Sequence, residues 1–167
     1  NFDIPATSAE GVYDIINATG GDIGDLTIKH PSIVGDIYLK GTTDSIVGES
    51  ILAGTEITIS ASPNFGGLMN ASDGSGWSKI RIKLTDPDGG EMEDKIDADA
   101  QEINIDKNTA GWDTGTWKVK IITDQQSCND VDVSSPEYNF TVRSGPTMPA
   151  RFSSGFYDYG EDTDGDS

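Results

Sequence analysis

The stretch Trp77-Ser78-Lys79-Ile80-Arg81-Ile82-Lys83-Leu84 decides the fold class. Ile80, Ile82 and Leu84 alternate with charged residues, and a period of two places all three on one side of an extended chain. That is the pattern of an antiparallel strand with one face in a core and one in water. Asp86-Pro87-Asp88-Gly89-Gly90 ends the run as a turn, because Pro fixes φ and Gly supplies positive φ.

The same alternation recurs outward from this strand. Downstream it returns at Trp117, Val119 and Ile121 and again at Tyr138, Phe140 and Val142, with weaker strands at Met92 to Ile96 and Ile103 to Ile105. Upstream, Ile37-Tyr38-Leu39 reads as a strand, and Ile57 and Ile59 mark another that Pro63 stops. A Gly, Asn and Ser loop covers residues 64 to 76. About seven strands at this spacing predict an all-β, immunoglobulin-like β-sandwich over residues 33–144. A single cysteine, Cys128, rules out a disulfide within the chain, so the likeness to antibody domains is one of architecture.

Two segments flank the sandwich. Residues 1–32 form an N-terminal arm in which Val12, Ile15, Ile16, Leu26 and Ile28 are apolar enough to want burial. Ala9 to Ile16 reads as a short helical turn, and Leu26 and Ile28 as strand-like up to His30-Pro31. Residues 145–167 form a tail with Phe152, Phe156 and Tyr157 and a final acidic run, too charged to fold alone.

Composition narrows the function. The formal net charge is −18 and the pI about 4.1, which argues against a nucleic-acid partner, since phosphate binding needs a basic patch. No segment approaches the roughly 18 apolar residues of a membrane span. An acidic surface suits solubility, cation binding or life outside the cell. The chain begins at Asn1 rather than Met, for which a removed signal peptide is one explanation among several.

Ile37-Tyr38-Leu39-Lys40-Gly41-Thr42-Thr43-Asp44, followed by Val47-Gly48-Glu49-Ser50, resembles the opening of immunoglobulin-like domains in methanogen cell-surface proteins, the S-layer-related family. Asn108 to Thr123, with its Trp112-Asp-Thr-Gly-Thr-Trp117 core, is similar to the closing part of those domains. The likeness spans roughly residues 33 to 143. It implies an exported archaeal envelope protein, often glycosylated, that builds layers, sheaths or filaments. No second domain and no C-terminal anchor or stalk signal is read in the chain, which counts against cell-wall anchoring and leaves self-assembly open.

Candidate chemistry is sparse. Asn17, Asn70 and Asn139 each open an Asn-X-Ser/Thr acceptor for N-linked glycan. Tyr138 and Phe140 share one face of their strand, so Asn139 points to the other, wet face. Asp86, Asp88 and Glu91 around the Pro-Gly turn, and Asp162, Asp164 and Asp166 in the tail, are the candidate ligands for Ca²⁺, a hard cation that takes oxygen donors. Of the tryptophans, Trp77 and Trp117 fall at strand starts and read as packing, which leaves Trp112 as the exposed candidate for sugar stacking. Cys128 is the candidate for a thiol bridging subunits. The only histidine, His30, precedes a proline in a linker, and no nucleophile carries a matching signature, so no enzyme is expected.

These readings converge on a structural subunit of an extracellular assembly. It would polymerise with copies of itself by strand exchange or edge pairing, with Phe152, Phe156 and Tyr157 as a second contact. The rival is a monomeric module that binds a carbohydrate or a protein.

Overall fold

Ten strands run along residues 7–65, 76–124 and 131–145, which this computed structural model describes. They are β1 (Gly11–Ile16), β2 (Asp22–Ile28), β3 (Ile33–Leu39), β4 (Ser50–Leu52), β5 (Glu56–Pro63), β6 (Lys79–Thr85), β7 (Glu91–Asp97), β8 (Ile103–Asn108), β9 (Gly115–Thr123) and β10 (Tyr138–Arg143). There is no helix among the described residues, and therefore none long and apolar enough to cross a membrane. The tail after residue 145, and with it Phe152, Phe156, Tyr157, Asp162, Asp164 and Asp166, lies outside the described residues, as do Asn70 and Cys128.

Strands β3 to β10 make the sandwich. One sheet has the order β3-β5-β8 and the other β4-β10-β9-β6-β7. The pairings are antiparallel except for β4 with β10, which is parallel. Since β5 pairs with β8 in one sheet and β6 with β9 in the other, the chain changes sheet between β5 and β6 and again between β8 and β9. That is the immunoglobulin-like arrangement the alternation predicts. Ile37, Ile57 and Ile59 from the first sheet meet Ile80, Ile82, Val119, Ile121 and Phe140 from the second, all with no exposed surface. Burying each such side chain contributes roughly 1.5–3 kcal/mol.

Gly35 on β3 is closely packed against both its own sheet and the other. A Cβ there would lie 2.4 Å from Ile121 Cδ1 and 2.7 Å from the Ser60 carbonyl oxygen, so only glycine fits. The Gly35 N–H donates to the Tyr138 hydroxyl at 2.8 Å, which ties β3 to β10 across the sandwich. The segment from Gly41 to Ser50 carries the chain from one sheet to the other. It turns at Gly41 (φ 77°) and Gly48 (φ 82°), and its Ile46 plugs the core.

Three expectations change. The sandwich holds eight strands rather than seven, because the three-residue β4 adds to the edge beside β10. The strand read from Trp77 starts at Lys79, two residues later. Ala9 to Ile16 is not a helical turn. Gly11–Ile16 is a strand, since β-branched Val12, Ile15 and Ile16 favour extended backbone and β2 supplies hydrogen-bonding partners.

Candidate assembly surfaces

Strands β1 and β2 form a hairpin that pairs with nothing else among the described residues, so both of its outer edges are open. Asn17 builds its tip. The Asn17 side-chain oxygen accepts from the Thr19 N–H at 2.9 Å, the Thr19 hydroxyl at 2.7 Å and the Gly21 N–H at 2.8 Å. The N-terminal arm is therefore a two-stranded ribbon that folds back on itself at this turn. A bulge falls where Ile15 gives way to Ile16.

The hairpin's base is fastened. Glu10 accepts from the His30 N–H at 2.5 Å, and the Asn64 amide donates to the His30 carbonyl at 2.6 Å. His30 thus joins the hairpin to the end of β5 rather than lying in a loose linker. Beyond this base every residue of β1 is exposed.

The ribbon has two unlike faces. Tyr13 lies directly opposite Leu26 and Gly11 opposite Ile28, so Tyr13, Ile15, Leu26 and Ile28 share one apolar face. On the other face Asp14 lies directly opposite Asp25, flanked by Val12 at 65% and Ile16 at 63% exposure. Like charges directly opposite one another destabilise a β pair. A lone two-stranded hairpin is marginal in water at best.

The edges of the five-stranded sheet are blunted by contrast. At one edge β7 presents Glu91, Glu93, Lys95 and Asp97, and at the other β4 is only three residues long. Charge and shortness are how natural sheets discourage edge pairing.

The outer face of the five-stranded sheet concentrates positive charge. Of the chain's eleven Lys and Arg residues, Lys79, Arg81, Lys83, Lys95, Lys118, Lys120 and Arg143 lie on strands of this sheet at positions that alternate with the core. Arg81 sits opposite Lys95 in register, and the buried Asp124 resolves the clash. It accepts from Arg81 at 2.7 Å and pairs with Lys95 at 2.5 Å. Burial alone would raise the Asp124 pKa, but hydrogen bonds from Lys95 and Arg81 outweigh it and hold the carboxyl below its ordinary value. Lys83 sits opposite Lys120 and turns to Glu91 and Glu93, at 3.4 and 3.5 Å. Lys120 and Arg143 are exposed and take part in no ion pair among the described residues.

On the opposite sheet, Tyr38, Lys40, Thr58, Glu102, Asn104 and Asp106 line a groove of about 470 Å³. Lys40 bridges Glu56 and Asp106 at 3.4 and 3.3 Å. The Thr58 hydroxyl donates to Asp106 at 2.7 Å, and that bond leads the effects that lower the Asp106 pKa.

The acidic turn is otherwise engaged. Asp86 accepts from the Asp88 N–H at 2.9 Å and the Gly90 N–H at 2.8 Å, so its carboxylate builds the turn, while Glu91 pairs with Lys83. Asp86, Asp88 and Glu91 do not assemble into a metal-holding group, and no three His, Cys, Asp or Glu side chains do so among the described residues. Asn139 is exposed on β10, and Asn17 stands exposed at the hairpin tip.

Trp112 reverses its expected place. It is half-buried against Trp117, with ring centroids 4.2 Å apart, whereas Trp77 is 37% exposed. The Gly-rich turn folds Trp112 back over the core because Trp117 gives it an aromatic partner. Sequence reading missed Asp124. Its signal is the register that sets Arg81 against Lys95, which demands an acid between them.

No family model matches the chain, and no curated protein matches it. Among solved structures it is similar to the CARDB domain of a Pyrococcus furiosus protein, determined in complex with di-metal ions. The two share 12% identity, with 70% of this chain and 97% of that one covered and a TM-score of 0.37.

Proposed function

We propose that this chain is a structural subunit of an extracellular surface assembly, a filament, sheath or S-layer, joined to its copies through the β1–β2 hairpin. The observation that carries the reading is the hairpin itself. It is a two-stranded ribbon with two open edges, and it exposes Val12, Tyr13, Ile15, Ile16 and Ile23. Exposed apolar side chains gathered on one element mark an interaction site, and unpaired strand edges recruit further strands. The strongly acidic composition and the exposed acceptors Asn17 and Asn139 suit a glycosylated protein outside the cell. The archaeal, S-layer-related origin rests on the strings at residues 37–50 and 108–123. No step of this role calls for catalysis.

Negative-stain imaging of the native protein in physiological salt, with and without a calcium chelator, tests the reading. Ordered polymers are expected, and deletion of residues 1–30 should abolish them while the sandwich stays folded. Monomers alone would overturn the reading. Loss of polymers on chelation would make Ca²⁺ part of the assembly.

One observation favours the rival, a carbohydrate- or protein-binding module: the groove that Tyr38 shares with Asn104, Asp106 and Glu102. An aromatic ring beside several hydrogen-bonding groups suits a sugar. Glycan-array binding that Tyr38→Ala abolishes would favour that module, and binding to no glycan would remove it.

A further inference from the structure

Asn17 and Asn139 each open an Asn-X-Thr acceptor and both are exposed, but the two acceptors differ in shape. Asn139 lies within β10, which is held on both sides. Strand β9 pairs along one side, with Asn139 opposite Lys118. On the other, the Gly48 N–H donates to the Asn139 carbonyl at 2.7 Å and the Thr141 N–H to the Glu49 carbonyl at 2.9 Å. Extended backbone sets Asn139 and Thr141 about 6.6 Å apart along the strand.

Asn17 instead opens the hairpin turn. Its N–H donates to the Gly21 carbonyl at 2.8 Å, and its carbonyl accepts from the Gly20 N–H at 2.9 Å. The turn folds Thr19 back, so that the Thr19 hydroxyl, the Thr19 N–H and the Gly21 N–H all donate to one atom of the Asn17 side chain, at 2.7, 2.9 and 2.8 Å. Three donors identify that atom as the oxygen Oδ1, which leaves the nitrogen Nδ2 as the outward atom of the amide. A Cβ on Gly21 would lie 3.0 Å from Nδ2, so glycine there keeps the nitrogen uncrowded.

We propose that Asn17 is the asparagine that receives an N-linked glycan, selected by the turn that Thr19 and Gly21 build, while Asn139 stays bare in its strand. This rests on the reading of an exported protein and says which acceptor it uses. An amide nitrogen is a poor nucleophile, because its lone pair is shared with the carbonyl. It attacks as it gives up a proton, and the negative charge this leaves gathers on Oδ1. The three donors already stand around that oxygen and stabilise the charge as it develops, as an oxyanion hole does. The glycosyl donor is a lipid-linked saccharide phosphate. Nδ2 forms a bond to the anomeric carbon of the sugar, the bond from that carbon to the phosphate oxygen breaks, and the lipid phosphate leaves with the electron pair. The amide proton passes to a base of the transferase. The sugar then stands at the tip of the ribbon, and the open edges of β1 and β2 run back from it, free to pair.

Mass mapping of the native protein, taken from the cells that make it, tests this. The tryptic peptide that ends at Lys29 should carry saccharide mass on Asn17, and the peptide holding Asn139 should carry none. Thr19→Ser retains a hydroxyl and should retain the sugar. Gly21→Ala leaves the acceptor triplet intact but crowds Nδ2, and should lose most of the sugar at Asn17 while the urea midpoint of the sandwich stays unchanged. Unmodified Asn17, sugar on Asn139, or full occupancy in Gly21→Ala would overturn the inference. Negative-stain imaging of the same material separates it from the assembly reading. Polymers without sugar on Asn17 would leave assembly standing and sink the glycan, and monomers bearing it would do the reverse.

Discussion

Strands β1 and β6 are both rich in β-branched and aliphatic residues, yet their fates differ. In β6, Ile80, Ile82 and Leu84 vanish into the core, while every residue of β1 remains exposed. The difference is the layer opposite. The β6 side chains meet Ile37, Ile57 and Ile59 from a second sheet. Among the described residues β1 has a single partner strand and no second layer over it. Pattern alone makes a strand, but burial needs a facing surface.

That contrast breaks most sharply at Phe140. It is fully buried and lies 6.3 Å from Trp112, ring centre to ring centre. Phe140→Ala should cost about 3–5 kcal/mol of unfolding free energy, through lost burial and the cavity left behind. Urea titration followed by tryptophan fluorescence reads this directly. Gly35→Ala comes next, at about 1–3 kcal/mol. Its new Cβ would press on the Ser60 backbone, which cannot swing away as a side-chain end can. Loss of the bond to the Tyr138 hydroxyl should accompany the shift, seen as faster exchange of the Gly35 amide. A Gly35→Ala protein as stable as the parent would mean that the backbone at Gly35 stands further from the Ser60 carbonyl than described.

How much was legible follows from the same physics. Strands β6, β9 and β10 could be read because each carries three or more alternating apolar residues that end up in one core. Strand β4 could not, since Ile51 is its only buried residue and its pairing is with the distant β10. The hairpin was half-legible. Its apolar residues stood out, but the adjacent Ile15 and Ile16 break the alternation at the bulge, which blurs strand into helix. The surfaces were hardest. Lys120 reads like any solvent-facing lysine until register sets it against Lys83, and Asp124 reads like a surface acid until Arg81 and Lys95 close over it. Cross-strand register depends on residues far apart in the chain, and local pattern carries no record of it.

Acid sharpens the comparison on the sandwich side, with a smaller effect. Asp124 has its pKa lowered in the fold, so the folded state takes up its proton less readily than the unfolded chain. Its contribution is complete above the ordinary value of 3.8 and is lost as pH falls through the folded value. The urea midpoint should therefore drop as pH is taken from about 6 toward about 2. Asp124→Asn should flatten that drop without abolishing it, because Asp106 is lowered in the same direction. A drop of unchanged steepness in the Asn variant would remove Asp124 from the acid response.

The smallest effect on folding belongs to the hairpin, and it is the most discriminating. Val12→Ser and Ile16→Ser should change the unfolding free energy of the monomer by no more than about 0.5 kcal/mol, because side chains so exposed have little burial to lose. The same hairpin should exchange its amide hydrogens quickly in the monomer, where only one partner strand protects it, while β6 exchanges slowly between two neighbours. In assembled material the β1 amides should slow toward those of β6. Slow exchange of β1 already in the monomer would mean that the hairpin needs no second molecule, and the contrast between the two strands would then be one of exposure alone.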